Sequence, residues 1–493
     1  MVDRIGLRST GLVVFGGKLV SAFTGLAFTI MVARWLIPAQ LGLWEFVIDI
    51  VTFASYPVGV VAFWVTRDIA RGKVVGRTAL TLGVAMSGLG LLIYFLLAFL
   101  TSSSVTSVFL PFLLGSLLVP LSYWSQVSNS IVQGYRPVAS GYSLIAAELS
   151  KLAVAYPALY IYRMGIEGVI LALIVSYFFQ SLVGTFLVRG ALRGQLRMTQ
   201  ARQWFGRAAW LPAVSYLPAI VGISDTFVAS LGFGTAIVGY YQAAFLVASV
   251  VGYSSALAYS LYPLLLGGGS EKLPAITLEF SMLFCIPMAV GVAVLAEPIL
   301  FLLGAKYIVG SLGLEVLTLM FVVLTISGII DQTLLGTEKV DVAQDRSFWK
   351  YAKSNLLFVP LVNLLSSALY LSLMYAALRC SFSNGLDPHD TVALWTLAQL
   401  AAVSVTILVK LRRVRGVARL MPSVAVAYYL VAAAVMGVVV YFLSGAVADR
   451  SLGTIEYGVR LLAVVGVGAV VYFGVALGLD SKLRNLAKGL LKR

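Results

Sequence analysis

A chain of 493 residues that is 60% hydrophobic and only 11% charged, with a mean hydropathy of +0.97, is no ordinary soluble protein, in which charged residues make up about 25%. Its formal charge of +15 does not point to nucleic acid, because the basic residues fall between apolar segments and do not gather on one folded face. One histidine, His389, and two cysteines, Cys285 and Cys380, are too few for a metal cluster or a disulfide framework.

The first apolar stretch, from Gly11 to Trp44, sets the pattern. At about 1.5 Å per residue, a helix from Leu12 to Ala33 covers a bilayer core of about 30 Å. It is longer than a signal-peptide core and no small-residue cleavage pattern follows it, so it is expected to stay as a span. Further apolar segments predict fourteen helices. Six run roughly over 11–34, 42–66, 78–100, 107–133, 138–162 and 166–188, and six more over 209–231, 237–265, 273–295, 311–335, 354–378 and 391–409. Two others follow at 422–444 and 458–478.

Lysine and arginine support this count, since cytoplasmic loops collect them. Most of the 35 fall in alternate connecting segments, while the segments between hold only Arg34, Arg163, Lys306, Arg379, Arg450 and Arg460. Both termini are therefore expected on the cytoplasmic side of a multi-pass protein of the cytoplasmic membrane. The outer loops are short, which argues against a glycan polymerase or ligase needing an external catalytic domain. The basic segments 189–207, 410–419 and 482–493 are expected to lie on anionic membrane lipid.

Laying Gly42 on Gly239 aligns VARWLIPAQLGLW (32–44) with ASLGFGTAIVGYY (229–241), and at a similar offset VQGYRPVA (132–139) meets LLGTEKVDVA (334–343). This repeat predicts an all-α polytopic protein with two parallel six-helix bundles, 1–190 and 191–412. Helices 13 and 14 and a basic tail, 413–493, are appended. Repeats of this kind place a substrate site near mid-membrane.

Ionised residues inside spans are the candidate site, because each costs roughly 2.5–3.5 kcal/mol at mid-membrane unless it is partnered or faces water. Lys18 would draw an anionic head group into a cavity, or snorkel to the inner interface. Glu45 and Asp49 share one face of helix 2, where they could carry a proton or sodium ion; alternatively Glu45 pairs with Arg34 and Asp49 lines a polar pocket. Glu148 and Lys151 form an intrahelical pair, or Lys151 turns to the cavity and Glu148 tunes it. Asp225 has no basic residue within a turn, so its partner comes from another helix, an ion or the substrate. Intramembrane tyrosines and tryptophans, Tyr123, Tyr240 and Tyr241 among them, could stack on sugars but read mainly as packing and interface anchors.

The residues Ala33-Arg34-Trp35-Leu36 and Leu41-Gly42-Leu43-Trp44 resemble the turn after helix 1 of polysaccharide transporters, oligosaccharide flippases of the multidrug/oligosaccharidyl-lipid/polysaccharide (MOP) exporter superfamily. Ile37 replaces the usual glycine there and Leu41 the phenylalanine. Thr66-Arg67-Asp68-Ile69-Ala70, Gln133-Gly134, Asp225 with Val238-Gly239-Tyr240-Tyr241-Gln242-Ala243-Ala244, and Leu361-Val362-Asn363-Leu364-Leu365 continue the resemblance. The resemblance implies a MATE-like fold, no catalytic residues and no cofactor. It also implies export by alternating access of a polyprenyl-(pyro)phosphate-linked oligosaccharide, with glycan-assembly enzymes as candidate partners. In relatives that flip the peptidoglycan precursor, several basic residues line helices 1 and 2; Lys18 matches one, and none here matches the others. An ion site on helices 7, 11 and 12 would use Asn363 with Asp225, coupled to Na+ or H+, although Ser367 stands where an acid would help. A cation-coupled multidrug exporter of the same fold is the rival, and it would normally stop at twelve helices. A major-facilitator transporter, also two six-helix bundles, is disfavoured because Thr66 to Arg77 lacks its loop motif.

Overall fold

The computed structural model describes residues 7–35, 38–101, 109–206, 217–218, 221–222, 225, 228–229, 233, 235–340, 348–414, 424–445 and 453–485. The side chains of Glu45 and Asp49, and most of the expected seventh span, lie outside the described residues. Among the described residues there is no strand, and twelve helices are long and apolar enough to cross a membrane. They correspond to the expected spans other than the first and seventh; the first is a helix over Leu7–Trp35. Leu92, Phe99, Phe442 and Val470 are each at least 70% exposed on these helices. Apolar surface left in water costs about 25 cal/mol per Å², so such helices belong in lipid.

In the first part of the chain α1 (Leu7–Trp35) is followed by α2 (Pro38–Ser55), which passes through a 3-10 turn at Tyr56–Val58 into α3 (Gly59–Ala70). Pro57 has no N–H to give to the α-ladder, and the helix tightens there and resumes. Then come α4 (Gly76–Thr101), α5 (Phe109–Tyr135), α6 (Ala139–Tyr156), α7 (Ile166–Leu187) and short α8 (Met198–Trp204). Helix α9 (Thr235–Gly252) passes through a 3-10 turn at Tyr253–Ala258 towards α10 (Leu261–Leu266). Beyond it lie α11 (Leu273–Val294), α12 (Ala296–Leu303), α13 (Ser311–Gly336), α14 (Phe348–Ala352), α15 (Asn355–Ser383), α16 (Pro388–Arg413), α17 (Val424–Ser444) and α18 (Thr454–Leu479).

The repeat seen in the sequence has a physical counterpart in local geometry. The alignment that sets Gly42 on Gly239 also sets Tyr56 on Tyr253, and both begin 3-10 interruptions. Helix α3 closes with Gly72 at φ +87°, its N–H donating to Ile69, and α10 closes with Gly268 at φ +87°, donating to Leu265. Only glycine takes that left-handed conformation without strain. Next to these ends, a Cβ on Gly134 would lie 2.9 Å from the Thr66 carbonyl oxygen, and one on Gly336 would lie 2.8 Å from Leu265 Cβ and 3.3 Å from the Tyr262 carbonyl oxygen. At each glycine the backbone comes closer to the end of the broken helix than a side chain would allow.

The chain forms two compact units. The first contains residues 1–216 with 259–270 and 336–357; the second contains 217–258, 271–335 and 358–493. In the first, α5 packs against α3, α4 and α7, and α6 against α1 and α7. Segments distant in sequence are fastened in it by Arg67, fully buried, whose guanidinium donates to Tyr262 Oη at 3.1 Å and to the Glu338 carbonyl at 3.1 Å. Arg71 donates to the same carbonyl at 2.8 Å. Asp68 accepts from Lys73 (2.6 Å), Gln200 (2.9 Å) and the Trp204 indole (3.0 Å), tying α8 to α3. In the second unit, α17 and α18 pack together and onto α11, where Tyr472 Oη donates to the Leu283 carbonyl at 2.7 Å.

Gly134→Val and Gly336→Val should each destabilise the fold by roughly 1–3 kcal/mol through overpacking, whereas Gly328→Ala, where a Cβ meets nothing within 4 Å, should change little. Thermal unfolding of the detergent-solubilised protein, followed by tryptophan fluorescence, measures this.

Candidate functional site

Within the first unit, Glu148 and Lys151 face each other on α6 with 2.7 Å between carboxylate and ammonium, and both are largely buried. The intrahelical pairing read from the sequence is present, and it reaches across to α1. Ser21 Oγ donates to Glu148 at 2.9 Å and Thr24 Oγ1 at 2.6 Å, while the Lys151 ammonium lies 5.3 Å from the Phe28 ring centroid. A buried carboxylate is tolerable only when its lone pairs are taken up, and three donors do so here. Lys18 is half-buried on α1, one helical turn before Ser21. A Cβ on Gly141 would come 2.6 Å from the Val13 carbonyl oxygen, so glycine brings α6 close enough to α1 for these contacts. Lys18, Ser21, Thr24, Glu148 and Lys151 thus form one polar track in an apolar bundle.

In the second unit the partner of Asp225 comes from other helices. Tyr370 on α15 donates to its carboxylate at 2.7 Å, and the Trp395 indole on α16 donates at 2.7 Å to the Tyr370 oxygen. Tyr241 on α9 stands 3.5 Å from the same carboxylate and donates at 3.1 Å to Gln399. A phenol has one proton to give, and of these two contacts the one to Gln399 is the shorter. Its ring stacks on Trp395 with centroids 4.0 Å apart and planes 3° from parallel. Tyr241 is therefore a packing residue, as its sequence position suggests, and its hydroxyl also joins the polar cluster.

Asn363 is not on Asp225 in these contacts; it donates to Asp331 on α13 at 3.2 Å. Asp331 is held by Lys410 of α16, whose ammonium lies 2.8 Å from Oδ1, 2.9 Å from Oδ2 and 2.7 Å from Ser327 Oγ. The Oδ1 contact is an ion contact without hydrogen-bond geometry. Sequence reading counted Lys410 among loop charges resting on lipid, and this needs correction: α16 runs to Arg413, and Lys410 is 1% exposed inside it. The run Lys410, Arg412, Arg413 hid it, but Gln399, Thr406 and Lys410 recur at helical spacing and could have revealed a polar face. On α15, Asn363, Ser366, Ser367 and Tyr370 share one face likewise. Ser366 meets Thr406 at 3.3 Å and Ser367 donates to the Pro218 carbonyl at 3.2 Å. The two polar clusters of this unit are therefore the ends of one stripe about 10 Å long, given 1.5 Å per residue from Asn363 to Tyr370.

Glu45 and Asp49 sit on α2, and their side-chain contacts lie outside the described residues. Cys285 is buried and Cys380 exposed near the end of α15, not in a loop; both are free thiols.

No protein-family profile matches the chain. No curated protein matches it either. Solved structures do. One is the outward-facing conformation of a multidrug resistance MATE family transporter of the MOP superfamily, 15% identical over 84% of this chain and 97% of that one, with a TM-score of 0.63. A MOP superfamily transporter from Pyrococcus furiosus, said to have a binding pocket of reversed polarity that suggests a different function, is 14% identical over 86% and 98%, with a TM-score of 0.61. A mutant of the Vibrio cholerae MATE transporter VcmN is 17% identical over 83% and 97%, with a TM-score of 0.56. The chain is an all-helical membrane protein with the fold of MATE and MOP superfamily transporters.

Proposed function

We propose that this protein is a flippase that moves a polyprenyl-(pyro)phosphate-linked oligosaccharide across the cytoplasmic membrane by alternating access, with both termini cytoplasmic and no covalent chemistry. The observation that carries the reading is the polar track of the first unit, which runs along the packed helices α1 and α6 from Lys18 past Ser21, Thr24 and Glu148 to Lys151 beside Phe28. An anionic head group is attracted to ammonium groups in a low dielectric, where a phosphate can compete for Lys151 against Glu148. Helices α17 and α18, docked on α11 by Tyr472 and by the contact of Gly437 with Val290, add apolar surface suited to a cargo whose polyprenyl tail stays in lipid. Glu148 and Asp49 are assigned to the substrate route, and Asp225 to both substrate and ion. Glu45 and Asp49 complete the residues assigned to Na+ or H+ coupling, Asn363 being taken up by Asp331, and glycan-assembly enzymes would supply and consume the lipid.

The second reading is a cation-coupled multidrug exporter, favoured by the similarity to a multidrug resistance transporter. A buried carboxylate held by the Tyr370 phenol, as at Asp225, can equally bind and release an organic or inorganic cation. The two readings part on cargo charge: the track on α1 and α6 suits an anion, Asp225 a cation.

Proteoliposomes containing the purified protein decide between them. A lipid-linked oligosaccharide should become accessible to an externally added glycosidase, and Lys18→Ala with Lys151→Ala should slow this at least about tenfold, about 1.4 kcal/mol in barrier. Efflux of a cationic dye with no movement of the lipid would instead establish the drug exporter. Tyr370→Phe removes both the donor to Asp225 and the acceptor for Trp395. It should lower stability by about 1–3 kcal/mol and weaken the dependence of transport on the Na+ or H+ gradient, measured as initial rate against imposed gradient.

A further inference from the structure

The cluster at Ser327, Asp331, Asn363 and Lys410 is built like a cation site that already contains its cation. An ammonium has three protons to donate and no lone pair, and here three oxygens surround it: Ser327 Oγ at 2.7 Å, Asp331 Oδ1 at 2.8 Å and Asp331 Oδ2 at 2.9 Å. Asn363 donates at 3.2 Å to Oδ2 of the same carboxylate, the oxygen that also accepts from Lys410, helping to hold it in place. The oxygens come from α13, the supporting amide from α15 and the ammonium from α16, so one charge ties three spans. Lys410 is 1% exposed, which is unusual for a lysine and costly without full pairing. A carboxylate, oriented by the Asn363 amide N–H, and a hydroxyl supply hard oxygen ligands of the kind that hold alkali or ammonium ions.

We propose that Lys410 is a tethered monovalent cation: its ammonium fills an oxygen-lined site at Ser327 and Asp331 that would otherwise take a small free cation such as Na+, K+ or an alkylammonium. This goes beyond the transport reading and does not depend on the cargo. It separates two roles within the second unit. Charge at the Asp331 end of the polar stripe is balanced permanently by the chain itself, and any exchangeable ion is left to the Asp225 end. It also explains why Asn363 serves Asp331 in this chain.

Removing the ammonium leaves a desolvated carboxylate that must find another positive charge or be protonated, and this alternative makes the idea testable. Full-length wild type, Lys410→Ala and the double variant Lys410→Ala with Asp331→Asn, each carrying a fluorescent tag, are extracted into mild detergent. The solutions are equimolar chlorides of sodium, potassium, methylammonium or choline. Two quantities are read: the monodisperse fraction on size exclusion and the apparent melting temperature. Each response is taken as the excess over wild type, which subtracts any cation effect at Asp225. Lys410→Ala should gain several degrees and recover its monodisperse fraction, saturably, with sodium, potassium or methylammonium but not with bulky choline. The double variant, lacking the carboxylate, should show no such preference. The proposal is overturned if Lys410→Ala behaves alike in all four salts, whether folded in all or aggregated in all, since the carboxyl has then simply taken a proton or the site has collapsed. It is overturned equally if the double variant keeps the same cation preference. Neither result touches the lipid transport assay, so the two readings fail separately.

Discussion

An ionised side chain inside a bilayer has almost no water to solvate it, so its charge must be met by donors or counter-charges that the chain itself supplies. The polar architecture of this protein follows from that requirement. In the first unit Glu148 is met by Lys151, Ser21 and Thr24, in the second Asp331 by Lys410 and Asn363, and Asp225 by Tyr370 with Tyr241 nearby. Each cluster joins spans distant in sequence, so satisfying the charge also fixes which helices are neighbours. The apolar contacts around them are plentiful but unspecific, because lipid tails are as apolar as leucine and cannot favour one helix pairing over another.

Close approach of backbones is the second half of the same economy. Glycines at 134, 141 and 336 allow helices to touch where a methyl group would collide, and the hydroxyl and carboxylate contacts form at the distances this leaves. The two aligned segments share the device at the ends of their broken helices but not the charges. Arg67 and Asp68 of the first repeat have only apolar counterparts near Pro263 and Leu264, and it is Arg67 that reaches Tyr262 and the Glu338 carbonyl. The aligned segments agree in where their helices break and close, and the polar contacts form where they differ.

Much of the frame was legible because hydropathy over twenty residues is a strong signal: spans such as Gly76–Thr101 and Val424–Ser444 differ from their expected limits by one or two residues. The pairing of Glu148 with Lys151 was legible from their spacing on one helix. What escaped was tertiary. Nothing local marks Tyr370 as the donor to Asp225, because that contact spans 145 residues of sequence. Lys410 was misread because a lysine beside three arginines looks like a loop charge until the helix is known to run to Arg413. Asn363, singled out by resemblance, found Asp331, a residue that sequence reading had passed over.

If the stripe from Asp225 to Asp331 is the hydrophilic route of the second unit, its two faces must differ in their access to water. Single cysteines at Ser366 and Ser367, on the stripe, and at Leu365, exposed on the apolar face of the same helix, can be compared in a background where Cys285 and Cys380 are serine. In proteoliposomes a charged thiol reagent should modify the first two and not the third, and excess cargo or coupling ion should slow that modification. Equal labelling at all three positions, or labelling at Leu365 alone, would contradict the account.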